Sequence, residues 1–215
     1  MKKVLVTLMG ALLLLAGPKT FGQISNIDGV WSFGGGFSMM SLSGEGADKA
    51  KGWGFQPLPG FYFGVILDYP FSSIEGLTLE PGLNIVHYGK SFTFGDSDDK
   101  KNKSYHCNYF NIPVNLKFTF PTSDSGFGLA VYTGPRLNLG VGGNSFSTGK
   151  TYPSIRPIDA QWGVGVGITI ADAVVLRGGY DFGITKCLKD NEDLKYDDEM
   201  AYRNTFNIGV SFLFK

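Results

Sequence analysis

The chain has 215 residues, and its 19 basic and 19 acidic side chains give a formal net charge of zero at pH 7. That balance excludes the basic stripe or patch of a nucleic-acid-binding surface. Glycine is in excess at 31 residues, beside 18 Phe and 10 Tyr; the usual glycine share is roughly 7%. Glycine and aromatics in short alternating segments describe a barrel wall, not a helical or α/β protein.

The first element is a leader. Lys2 and Lys3 precede an apolar run from Val4 to Ala16, then a turn at Gly17-Pro18 and the small-x-small stretch Thr20-Phe21-Gly22. This is the layout of a secretory signal peptide, predicted over 1–22 with cleavage near Gly22. Lys19 ends the run short of the about 20 apolar residues that a spanning helix needs. Residues 23–215 are predicted to form one domain. No later run reaches the apolar length of a transmembrane helix.

Period-two alternation then dominates, placing successive side chains on opposite faces of a sheet. Weaker alternation covers Trp31–Met40, Phe55–Tyr69 and Leu77–Tyr88. It is strong in Phe110–Phe120, Phe127–Leu139 and Trp162–Ile170, weaker over Val174–Lys186, and clearest at the end. There Phe206, Ile208, Val210, Phe212 and Phe214 alternate with Asn207, Gly209 and Ser211. The count is eight strands, each predicted at about 10–14 residues, close to the length of a tilted membrane crossing.

The composition of the two faces assigns inside and outside. A soluble lipocalin-like barrel would turn its large apolar residues inward and its charges outward. Here the second face is mostly Gly, Asn, Ser, Thr and Ala with isolated charges, which suits the cramped interior of an eight-stranded barrel. The apolar face suits lipid. The connections Pro70–Gly76, Pro121–Gly126 and Ala171–Ala173 are short. Those at Ser43–Gly54, Gly89–Ser104, Gly143–Ile158 and Cys187–Ala201 are long and polar. This alternation predicts an all-β, up-and-down antiparallel transmembrane barrel with short periplasmic turns and long extracellular loops.

Several segments carry a resemblance. They are Leu79-Glu80-Pro81-Gly82-Leu83 with Tyr88-Gly89-Lys90; Tyr109 to Phe118; Gly134-Pro135-Arg136-Leu137; Gly163 to Gly167; Arg177 to Thr185; and Asn207 to Phe214. Together they resemble the Bacteroidetes outer-membrane β-barrel family of PorT-like or porin-type proteins. The resemblance implies this fold and an outer-membrane location, and it transfers no catalytic or ligand residues. Many outer-membrane barrels end on an aromatic; here Phe214 is followed by Lys215.

Six charges fall in the lumen phase: Asp68, Glu80, Lys117, Arg136, Arg177 and Asp181. Charge inside a membrane-spanning element is expensive unless it is paired or faces a polar cavity. The expected arrangement is an interior ion-pair network that plugs the lumen, with Glu80 and Lys117 at salt-bridge distance. The alternative is a pore lined by the same charges. His87 and His106 flank the second long loop beside Cys107 and are too few for a metal centre, which needs three or four converging ligands. Asp190, Glu192, Asp193, Asp197, Asp198 and Glu199 lack the spaced glycine and final glutamate of a calcium loop. They read as a solvated extracellular loop, as do Asp96, Asp98, Asp99, Lys100, Lys101 and Lys103. Trp31, Trp53 and Trp162 read as interfacial aromatics. Cys107 and Cys187 read as unpaired thiols, with a bridge as the alternative.

These readings predict no enzyme, no cofactor and no metal. Three classes of function remain in view: a structural or interaction barrel, a small passive diffusion channel, and an outer-membrane enzyme. The last would need a nucleophile, base and orienting group at one rim, and the histidine supply is thin. The expected partners are outer-membrane lipid and envelope or secretion proteins, around a monomeric barrel.

Overall fold

A computed structural model describes residues 29–47, 56–71, 74–94, 101–120, 126–146, 154–188 and 201–214. The predicted signal peptide, Trp53, the charged stretch 96–100 and the acidic stretch 190–199 lie outside the described residues.

The strands are β1 (Val30–Ser43), β2 (Leu58–Pro70), β3 (Leu77–Phe94), β4 (Lys101–Phe120), β5 (Phe127–Gly142), β6 (Ile158–Ile170), β7 (Val174–Gly183) and β8 (Tyr202–Phe214). Each pairs antiparallel with its sequence neighbours, and β8 closes on β1 from Trp31↔Phe214 to Ser43↔Tyr202. Closure leaves no edge along the wall, the condition for a sheet to lie in lipid. Alternation decides the faces. Phe33, Phe63, Leu83, Val131, Val166, Leu176 and Ile208 are all exposed, whereas Ser32, Glu80, Asn115, Arg136, Asp181 and Ser211 are buried inside the barrel.

Three boundaries differ from the sequence reading, the first being β2, which opens at Leu58 and not at Phe55. The stretch Gly89–Ser104, expected as a loop, continues the β3–β4 ladder from Gly89↔His106 to Phe94↔Lys101. β4 therefore reaches 20 residues, beyond the expected strand length. A hairpin rising past the bilayer needs backbone pairing but no apolar outer face, so it loses the alternation that marks a membrane strand. β7 ends at Gly183, not at Lys186, which instead makes a single bridge to Tyr202.

The β6–β7 connection is the three-residue turn Ala171–Ala173. Ala171 and Asp172 both take positive φ, 52° and 53°, and the Ala173 amide donates to the Ile170 carbonyl at 3.2 Å. At the opposite end the connections fold over the mouth. Met40, Leu58, Tyr88 and Tyr109 from the strands pack with Ile155, Cys187, Leu188 and Ala201 into one buried apolar cluster. The barrel therefore has a polar interior capped by an apolar core at its long-loop end.

Candidate functional site: the barrel lumen

The lumen charges gather in three groups along the barrel. The first lies near the short turns, where Asp68 is close to the end of β2, Glu80 and Arg177 are close to the starts of β3 and β7, and Lys117 is close to the end of β4. Glu80 is fully buried and accepts from Arg177 through both oxygens, Nη2–Oε1 at 2.6 Å and Nη1–Oε2 at 3.1 Å. Lys117 Nζ stands 2.8 Å from Glu80 Oε1 and 2.6 Å from Asp68 Oδ2. A bidentate arginine and a lysine on one carboxylate supply the pairing that buried charge requires.

Midway up, Arg136 Nε lies 2.7 Å from Asp181 Oδ1. Asn115 joins the two groups, accepting from Arg136 Nη1 at 2.9 Å and donating to Glu80 Oε2 at 3.5 Å. Asn207 donates to Asp181 Oδ2 at 2.8 Å and accepts from Ser38 at 2.7 Å; the Ser38 hydroxyl lies 2.9 Å from that of Tyr88. All six charges singled out in the sequence thus point inward, four in one cluster and two in the other.

The third group was not anticipated. Among the described residues Arg203 is the largest fully buried side chain. Its Nη2 donates to Asp159 Oδ1 at 3.0 Å, and its guanidinium carbon sits 4.2 Å from the Tyr109 ring centroid. A lateral amide ladder leads to it: Asn84 donates to Asn111 at 3.1 Å, Asn111 to Asn138 at 2.8 Å, and Asn138 to Asp159 at 3.0 Å and to Gln161 at 2.9 Å. These residues share the phase of the interior face. Arg203 and Thr205 continue the alternation of Asn207, Gly209 and Ser211, so that phase, extended past the apolar part of β8, was the available signal.

Large interior side chains are matched by glycine on strands close by in the wall. A Cβ at Gly163 would collide with the Arg136 guanidinium, and one at Gly209 with the Tyr62 hydroxyl. Between the groups remains a cavity of about 80 Å³, lined among others by Asn84, Asn111, Tyr62, Tyr132 and Arg177. Each ordered water needs roughly 10–15 Å³ of such space, so the cavity has room for several. Arg177 Nε and Ser211 Oγ are buried without a protein partner; both residues line the cavity.

The remaining candidates lie elsewhere. His87 and His106 are half-buried; His87 Nδ1 is 2.7 Å from Asn108 Oδ1 and its ring is 5.2 Å from that of Phe61. Among the described residues no cluster of three His, Cys, Asp or Glu is placed to hold a metal ion. Cys107 and Cys187 are free thiols buried in the apolar cap, so the disulfide alternative is not realised. Burial, with the nearby Asp159 charge, pushes the Cys187 thiol up to about 12.

An apolar, aromatic exterior wrapped round an ion-paired interior defines a membrane-spanning β-barrel, the architecture of bacterial outer membranes. The chain belongs to the outer membrane protein β-barrel domain family, whose sequence profile matches residues 21–189. It is an outer-membrane protein. No curated protein matches it. Among solved structures it is similar to the attachment invasion locus protein Ail of Yersinia pestis, at 10% identity over 86% of this chain and 99% of that one, with a TM-score of 0.45. Neisserial surface protein A gives 14% identity over 86% and 97%, with a TM-score of 0.47. OprG from Pseudomonas aeruginosa gives 9% over 86% and 96%, with a TM-score of 0.45.

Proposed function

We propose that this chain is a non-enzymatic, monomeric outer-membrane scaffold of the PorT-like Bacteroidetes type. Its lumen is filled by a structural plug, and its long-loop side presents a surface to envelope or secretion proteins. One observation carries this reading: the interior network runs from Asp68 and Lys117 through Glu80, Asn115 and Arg136 to Asp181, below an apolar cap. A lumen cross-linked in this way serves wall rigidity better than flux. Rigid barrels leave recognition to their loops, and the long connections are the surface available to a partner.

Planar-bilayer recording tests the plug. The purified chain is expected to give no stepwise conductance, and regular unitary steps would refute the reading. Cross-linking in intact outer membranes, with and without the Cys187–Ala201 connection, tests the partner. Loss of a defined adduct on deletion is expected, whereas an unchanged pattern would remove that loop from the interface. The cavity of about 80 Å³, with Asn84, Asn111 and Arg177 in its lining, favours a second reading, a small passive channel for hydrophilic solutes.

A further inference from the structure

The two ends of the lumen are shut by different materials. At the short-turn end the closure seen among the described residues is made by side chains: Asp68, Glu80, Lys117 and Arg177 converge from four strands. Lys117, Asp68 and Arg177 keep 10–15% of their side-chain surface exposed, so this closure is ionic and touched by water.

At the long-loop end the closure is built from backbone and apolar side chains. The turn Asn144–Phe146 sets the Phe146 ring edge-on against Tyr109, with centroids 5.3 Å apart. The two connections that follow β5 and β7 then bind each other. Ile155 bridges Leu188, the Arg156 amide donates to the Cys187 carbonyl at 2.7 Å, and Arg156 Nε donates to the Leu188 carbonyl at 2.9 Å. The Cys187 amide donates to the Ala201 carbonyl at 2.9 Å, tying this piece to the start of β8. Beneath it lies Arg203, stacked on Tyr109 and paired with Asp159. Arg203 thus touches both the polar network and the ring on which the cap rests. The cavity lies between the two closures.

We propose that these are two gates in series around a hydrated chamber: an ionic gate centred on Glu80, and an apolar cap keyed by Arg203 stacked on Tyr109. Each shields the chamber from one side only, and the lumen passes no small hydrophilic solute while either is shut. This deepens the plugged-barrel reading and rests on it.

Sided accessibility of a chamber cysteine tests the arrangement. Asn84→Cys is made in a chain carrying Cys107→Ala and Cys187→Ala, then placed in phosphatidylcholine vesicles. Orientation is read from proteolysis of the long connections. The probe is a membrane-impermeant, positively charged methanethiosulfonate. In this parent, labelling from either side is expected at least a hundredfold slower than in the unfolded chain. Glu80→Ser with Arg177→Ser should admit the probe from the short-turn side alone. Arg203→Ser with Asp159→Ser should admit it from the long-loop side alone. The proposal is overturned if the parent labels at the unfolded rate, if a folded pair variant labels from the opposite side, or if it labels from neither. Should a pair variant not fold, Glu80→Asp and Arg203→Lys, which keep each charge but loosen its contacts, take its place with the same sidedness expected. Conductance separates the two readings. Steps from the unaltered chain defeat the plugged-barrel function itself. Steps from either pair variant alone leave that function standing and defeat the two gates.

Discussion

Glu80 is where charges from four strands meet: its own β3, Asp68 on β2, Lys117 on β4 and Arg177 on β7. Removing one member of a buried pair leaves an uncompensated charge, which typically costs about 3–5 kcal/mol. Glu80→Gln leaves Arg177 and Lys117 facing each other with only Asp68 as counter-charge. It is expected to lower unfolding stability by that order, read as a fall in the urea midpoint in lipid vesicles. Glu80→Gln with Arg177→Gln removes a pair together and should recover part of the loss. Non-additivity above about 1 kcal/mol would be the signature of direct coupling, and strictly additive effects would deny it. Cys187 supplies a second residue-scale outcome. Burial opposes its thiolate, so the folded chain holds the proton from the ordinary 9.0 up to about 12. The folded state is therefore favoured fully below pH 9, and that contribution is lost as pH rises from 9 towards 12. At pH 8 the thiolate fraction should fall on the order of a thousandfold relative to the unfolded chain. Maleimide labelling of the folded protein should slow at least as much, and equal rates would mean that the cap is open.

The β6–β7 turn shows how one element is specified and where it is imperfect. Two central residues with positive φ define the hairpin turn for which Asn-Gly is the favoured pair, yet the sequence places Ala171-Asp172 there. A left-handed alanine costs about 1 kcal/mol. Ala171→Asn with Asp172→Gly is expected to raise stability by about 0.5–1 kcal/mol, and Ala171→Val to lower it, both read from thermal midpoints. A neutral result for the valine would show that the turn relaxes freely. This turn was legible in the sequence as a short connection, and the strands were legible wherever lipid demands large side chains on one face. Phe110–Phe120 and Phe206–Phe214 fell in phase for that reason. Legibility stopped where lipid stops. The β3–β4 ladder above Gly89 runs through Lys90, Ser91, Lys103 and Ser104 and read as a loop. Asp159 and Arg203 sit at strand ends beyond the apolar stretch, so the cluster beneath the cap went unread. The six other interior charges were legible because a lone charge in a Gly/Asn/Ser phase has nowhere else to go. Which strands their side chains would bridge depends on the strand register round the closed barrel, and alternation alone does not specify that.

At the scale of the whole molecule, lipid replaces a hydrophobic core as the partner of the apolar side chains. Phe33, Phe63, Val166 and Ile208 are exposed in the isolated chain and are stabilised only by the bilayer around them. The cost of a charge on the outer wall should therefore depend on depth. Arginine at the midplane of such a barrel costs about 2–4 kcal/mol, falling to about 0–1 kcal/mol near the interfaces. Ile208 is the central residue of β8, and Ile158 opens β6 at the long-loop end. They are similarly exposed, at 53% and 62%, so local packing does not separate them. Ile208→Arg is expected to destabilise the barrel by about 2–4 kcal/mol and Ile158→Arg by at most about 1 kcal/mol, measured by reversible unfolding in lipid vesicles. In detergent micelles, which deform around a charge, the gap should narrow. Equal costs in the bilayer would place the two positions at the same depth. They would then contradict a barrel whose short turns and long connections lie on opposite sides of the membrane.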